Sequence, residues 1–205
     1  MTTYYAVMAV LALFNLIVFL LDFQEKKLNY YMLAMFVIMT LSNAGNVLLA
    51  TTDLLEVAIV AKKIYYLGGC FIPPLILIVI FKMCNIRLKK WITNILVLYS
   101  FAVYGMVLTI GYHDMYYVSA TLTKDGDATV IVPEYGFGHN FFYILLYGYL
   151  LIGVVVLLYS FKNQIRLSRK NLWALIAVEL VTIVVFLVGR VVNPDMEVTP
   201  FAYIL

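Results

Sequence analysis

Six stretches of apolar residues in this 205-residue chain are each long enough to cross a bilayer, and a seventh starts at Val198 and runs only to Leu205. A membrane-crossing helix needs roughly 20 mostly apolar residues, because in hydrocarbon the backbone must satisfy its own hydrogen bonds. The spans read as Tyr4 to Leu21, Asn29 to Ala50, Lys63 to Met83, Ile92 to Gly111, Phe141 to Phe161 and Leu172 to Gly189, then the fragment from Val198. The expected fold is an all-α polytopic membrane protein, a seven-helix bundle whose seventh helix is truncated. The cut seventh crossing leads us to expect an output segment beyond Leu205.

Composition agrees with this. Hydrophobic residues make up 65% of the chain and charged residues 12%, against about a quarter charged in soluble domains. The segment before the first span, Met1-Thr-Thr-Tyr-Tyr, has neither the basic stretch nor the small-residue cleavage site of a secretory signal, so the first span is read as retained. Cys70 lies within the third span and Cys84 near its end, so reduced packing residues are expected rather than an exported disulfide. His113 and His139 stand at the two ends of one long loop, so neither a metal site nor any other cofactor is expected. A net charge of +3 gives no reason to expect nucleic acid as a partner.

Charge sets the expected orientation. Lys26 and Lys27, then Arg87, Lys89 and Lys90, then Lys162, Arg166, Arg169 and Lys170 fall in every second connection. The alternate connections carry Asp53 and Glu56, then Asp114, Asp125, Asp127 and Glu134, then Asp195 and Glu197. Basic residues near span ends are retained on the cytoplasmic side, so the N-terminus is expected outside and the C-terminus in the cytoplasm. Lys62 and Lys63 break the pattern at the outer end of the third span, and Lys62 is read as snorkelling to the interface. Lys63 and Lys82 bracket one crossing of roughly 28 Å.

The largest extramembrane piece is the outer loop, residues 112–140. Tyr116 to Leu122 and Ala128 to Val132 are rich in β-branched and aromatic residues and flank Lys124-Asp125-Gly126-Asp127, whose Asp-Gly step signals a hairpin. A small extracellular β-hairpin between helices 4 and 5, capping the outer mouth, is expected.

Polar residues inside spans are the candidates for function. Glu179 is the acidic residue in the middle of a span, with Thr182, Phe186 and Arg190 on the same helix face. Such a carboxylate is a functional candidate by default, or else a protonated group bonded to a neighbouring helix. Thr40, Asn43, Asn46 and Asp53 form one stripe on the second span, with two asparagines in a single turn suggesting a wet cavity. Tyr143 and Tyr147 lie one turn apart in the fifth span, and Tyr65 and Tyr66 follow Lys63 in the third. Pro73-Pro74 removes two backbone donors at the middle of the third span, so a kink is expected, with freed carbonyls near Gly69 and Cys70. No nucleophile and base pair or phosphate loop stands out, so no catalytic residue is assigned and catalysis is not expected of this region.

Three motifs carry a resemblance. Lys63-Ile-Tyr-Tyr-Leu-Gly-Gly-Cys-Phe-Ile-Pro-Pro-Leu75, the loop from His113 through the hairpin to Tyr135-Gly-Phe-Gly138, and Glu197-Val-Thr-Pro-Phe-Ala202 together make the chain similar to the seven-helix sensor module at the N-terminus of bacterial histidine kinases and some diguanylate cyclases. In that family the acidic position of the last motif is commonly aspartate, whereas here it is Glu197. The resemblance implies one sensor domain over residues 1–205, a dimeric receptor and an output domain after the seventh helix. The expected function is to bind a small ligand from outside or from the membrane and pass a shift inward through helix 7. Expected ligand contacts are Asn43, Asn46, Lys63, Tyr66, Tyr143, Tyr147, Arg190 and Glu197, with Glu179 as a buried polar lock. The alternative from another class is a small secondary transporter with Glu179 as a proton or ion relay. A retinal receptor is a third reading, for which no mid-span lysine is visible.

Overall fold

A computed structural model describes residues 1–22 and 30–162, with six single positions further along: Trp173, Ile176, Ala177, Leu180, Val181 and Val184. The described elements are, in order, α1 (Thr2–Asp22), α2 (Tyr30–Thr51), α3 (Leu55–Met83), α4 (Lys90–Leu108), β1 (Tyr117–Asp125), β2 (Ala128–Tyr135) and α5 (His139–Lys162). All five helices are long and apolar enough to cross a membrane. The six single positions are helical and fall within the expected sixth span. The rest of that span and the fragment from Val198 lie outside the described residues, so the described structure carries five of the seven expected helices.

The third helix is the spine. α2, α4 and α5 all pack against α3, and α1 packs on α2. The main core joins Tyr65, Tyr66, Cys70 and Leu77 of α3 to Val103 and Val107 of α4 and to Leu145 and Tyr149 of α5. Glycine sets the closest approach. A Cβ on Gly45 would stand 2.8 Å from both the Ala61 carbonyl oxygen and the Tyr65 amide nitrogen, so the backbones of α2 and α3 meet there, as small residues allow between membrane helices. Ser42, one turn before, donates to the Tyr65 carbonyl at 2.7 Å and pins the same contact. Between α4 and α5, the Tyr99 hydroxyl donates to the Phe141 carbonyl at 3.1 Å. The outward faces stay apolar, with Phe14, Leu98 and Leu151 all exposed, which suits a helix surrounded by lipid.

α3 starts at Leu55, eight residues before the span read from hydropathy, roughly 12 Å along the axis. Glu56, Lys62 and Lys63 dilute the apolar signal there. Ala58 and Ala61 are nonetheless wholly buried, so packing holds two more turns in the helix. The helix also continues through Pro73-Pro74 without interruption.

The expected hairpin is present between α4 and α5. Its register pairs Asp125 with Ala128 and Leu122 with Ile131, so the two loop residues are Gly126 and Asp127 rather than the Asp-Gly step itself. Gly126 has φ +61°, the left-handed geometry that a type II′ turn requires at its first central position. Ala120, Leu122 and Ile131 face the core cluster. A bulge at Val118 interrupts the base of β1, and Pro133 lies opposite Ala120 in β2. The tip is tied to two other segments. The Met1 ammonium meets the Asp127 carboxylate at 2.6 Å, the Thr2 hydroxyl donates to the Asp127 carbonyl at 2.9 Å, and Lys124 pairs with Asp53 of the α2–α3 connection. The start of α1, the α2–α3 connection and the hairpin therefore occupy one end of the bundle.

Candidate functional site

The polar site lies at the hairpin end, where α2 faces α3. Asn43 and Asn46 are 1% and 2% exposed, and both project from the turn that Gly45 brings onto the α3 backbone. Asn43 donates to the Met39 carbonyl at 2.9 Å, within its own helix. Its carbonyl oxygen, and both polar atoms of the Asn46 carboxamide, are buried without a hydrogen-bond partner among the described residues. A buried amide left unpaired costs on the order of 1–3 kcal/mol, so such groups call for a polar occupant. Thr40 departs from this stripe. It donates to the Phe36 carbonyl at 2.8 Å and to the Ala12 carbonyl at 3.3 Å, which turns it toward α1. Asp53 is drawn off to the exposed pair with Lys124.

Of the two adjacent lysines near the start of α3, the inward one is Lys62. It is 5% exposed, with its ammonium 4.9 Å from the centre of the Tyr65 ring and 5.8 Å from that of Tyr66. This corrects the snorkelling expected of Lys62, since Tyr65 and Tyr66 sit three and four residues on and hold the cation by their faces. Lys63 lies about 100° further round the helix. Its ammonium stands over the Tyr112 ring at 4.5 Å, and it belongs to the side facing the end of α4. The sequence reading thus named the neighbour of the buried cation, although the offset from Lys62 to Tyr66 was visible.

Tyr66 joins the helices to the hairpin. Its hydroxyl lies 3.0 Å from that of Tyr117, and its ring meets Tyr116 at 5.3 Å and Phe142 at 5.1 Å, both edge to face. Tyr116 is fully buried, and that burial pushes its phenol far above the ordinary tyrosine range. His139, at the start of α5, stacks on Tyr135 with ring centres 3.9 Å apart and meets Tyr116 and Tyr143 edge on. Tyr143 is therefore tied to the cluster through His139. Tyr147, one turn further, is 44% exposed and forms its rim. The sequence reading missed Lys62, Tyr116, Tyr117 and His139. Glu179, Arg190 and Glu197 lie outside the described residues.

The loop closes on glycine. The amides of Gly136 and Gly138 donate to the carbonyls of Tyr116 and Met115, at 2.9 and 2.8 Å. A Cβ on Gly136 would lie 2.4 Å from the Asp114 and Met115 carbonyl oxygens, so no side chain fits. Tyr135-Gly-Phe-Gly138 is thus the hinge that folds β2 back onto α5, and Lys63 to Leu75 is the middle of the spine. The model of one family, the N-terminal 7TM region of histidine kinase, matches residues 5–205. The chain belongs to that family. It is a membrane sensor region of histidine kinase signalling, and the family is a sensor region rather than a catalytic domain. No curated protein and no solved structure matches the chain. Two of the three motifs that carry the resemblance fall on described parts of this sensor region, and Glu197 to Ala202 lies outside them.

Proposed function

We propose that this region binds a small polar ligand at the hairpin end of the bundle and passes a conformational shift through its C-terminal helices to a cytoplasmic histidine kinase domain. The observation that carries this reading is the set of buried carboxamide atoms on Asn43 and Asn46 that have no partner among the described residues, where α2 meets α3 at the end of the bundle that carries the hairpin tied down by Tyr66 and Tyr117. A ligand that hydrogen-bonds these amides only when the hairpin is seated has a higher affinity for the seated state, and it shifts the population by that difference. In this proposal Arg190, Glu197 and Glu179 complete the site from helices 6 and 7, the region works as a homodimer in the bacterial inner membrane, and the hairpin faces outward. The acidic and basic connections support that orientation.

The test replaces Asn43 and Asn46 with leucine in the full-length receptor and reads autophosphorylation together with thermal stability. If the amides serve the ligand, signal response is lost while the melting temperature holds or rises, since unpaired buried polar atoms have been removed. A fall in stability with an unchanged response makes them packing groups and ends the proposal.

A further inference from the structure

At the end of the bundle away from the hairpin, the turn between α3 and α4 frames a cleft of about 640 Å³. Its shape is set locally. α3 ends with Asn85 at φ +53°, while the Ile86 amide donates to the Phe81 carbonyl at 2.9 Å and the Asn85 amide to the Lys82 carbonyl at 3.0 Å. That bonding pattern is a Schellman cap, with Ile86 packed back against Phe81 in the same apolar cluster. The cap turns the chain sharply, so that Lys82 from the last turn of α3, Arg87 from the connection and Lys90 from the start of α4 line one cleft. Lys82 also stands over the Tyr31 ring at 4.0 Å, which makes the start of α2 a further wall.

Among the described residues no lining side chain is acidic. α4 has no acidic residue in its first turn and no side-chain cap at Lys89, so the positive end of its dipole adds to the three cations. Three like charges and a positive helix end around one cavity repel each other until an anion enters. Thr93 and Asn94 supply neutral hydrogen-bonding groups on the next turn of α4. Arginine can grip two phosphate oxygens at once, and the lysines add point charge.

We propose that this cleft binds a phosphate ester, held as the headgroup of an anionic membrane phospholipid. The lipid is the better fit than a soluble phosphate because Ile78 and Phe81 of α3 also line the cleft, an apolar wall that the start of an acyl chain can cover. A free phosphate leaves that wall unused. Basic pockets at the ends of membrane helices are suited to such headgroups.

The test is native mass spectrometry on the purified full-length receptor in detergent, offered phosphatidylglycerol, phosphatidylcholine or glycerol 3-phosphate. The chain is expected to retain phosphatidylglycerol about tenfold or more over phosphatidylcholine. Arg87→Gln with Lys90→Gln abolishes that preference, whereas Lys89→Gln with Lys124→Gln, which removes as much charge outside the cleft, keeps it. An unchanged preference in the first variant, or an equal loss in the second, overturns the site. Glycerol 3-phosphate separates the sources: weak or no binding supports the lipid, and binding as tight as phosphatidylglycerol overturns the assignment to a lipid. All four substituted residues are exposed, and a melting curve of each variant confirms that the fold is retained.

Discussion

The hydroxyl pair of Tyr66 and Tyr117 links α3 to the hairpin, and its weight can be measured. Tyr66→Phe and Tyr117→Phe each remove one half of the same bond, which is worth about 1 kcal/mol. Each is expected to lower the thermal midpoint by a small amount in detergent, and the double variant by less than the sum of the two single effects. Additive losses would mean that each hydroxyl has another partner that matters more. Gly45 is the second residue-scale test. Gly45→Ala drives a Cβ into backbone atoms at 2.8 Å, and overpacking of this kind costs about 1–3 kcal/mol. Gly148→Ala in α5 has open space around it among the described residues and is expected to be neutral or stabilising, because alanine is the better helix former. The same melting experiment reads both. Residues 62 and 63 show where reading by type fails. Two adjacent lysines look alike in a sequence, and only the packing of α2 decides which one turns inward.

At the scale of elements, the hairpin is held at its tip by charge and at its base by glycine. The Asp127 carboxyl lies below the usual aspartate range because the Met1 ammonium bonds to it, with the Thr2 amide adding to the effect. A carboxyl whose folded value is depressed contributes stability above its unfolded value, near pH 4, and that contribution is lost as pH falls through the lower folded value. Asp127→Asn is therefore expected to melt slightly below the wild type at neutral pH, with the two midpoints converging in acid. The carboxylate is exposed, so the difference is small. Gly136→Ala acts at the base, where a Cβ has no room. It is expected to release the loop, read as faster proteolysis within residues 112–140.

The sequence showed the hairpin because β-branched runs around an Asp-Gly step leave few alternatives. It missed the turn by one residue because Gly126 can serve as either central position. It placed the start of α3 too late for a different reason: hydropathy scores lysine as solvent-facing, and here Lys62 is buried against two tyrosine rings.

For the whole molecule, loop charge and loop geometry agree on what lies together. Asp53, Asp127 and Glu134 share the end that holds the hairpin, while Lys82, Arg87 and Lys90 share the other. Cysteine placed at position 125 is expected to react with an impermeant maleimide in intact cells, and cysteine at position 89 only after the membrane is opened. The reverse result would turn the receptor over and remove the route to a cytoplasmic kinase. The five described helices were legible because long apolar runs in a membrane admit few structures. The burial of Asn43 and Asn46 against α3 was less so, since it depends on which faces of two helices meet.

The hood of this bundle has two unpaired rims, and such rims invite joining to a neighbour. Both are blunted. Counting back from the closing pair Asp125 and Ala128, Pro133 falls where its missing donor would have pointed outward, and the Val118 bulge breaks the other rim. Two copies are therefore not expected to zip together hood to hood by extending this sheet.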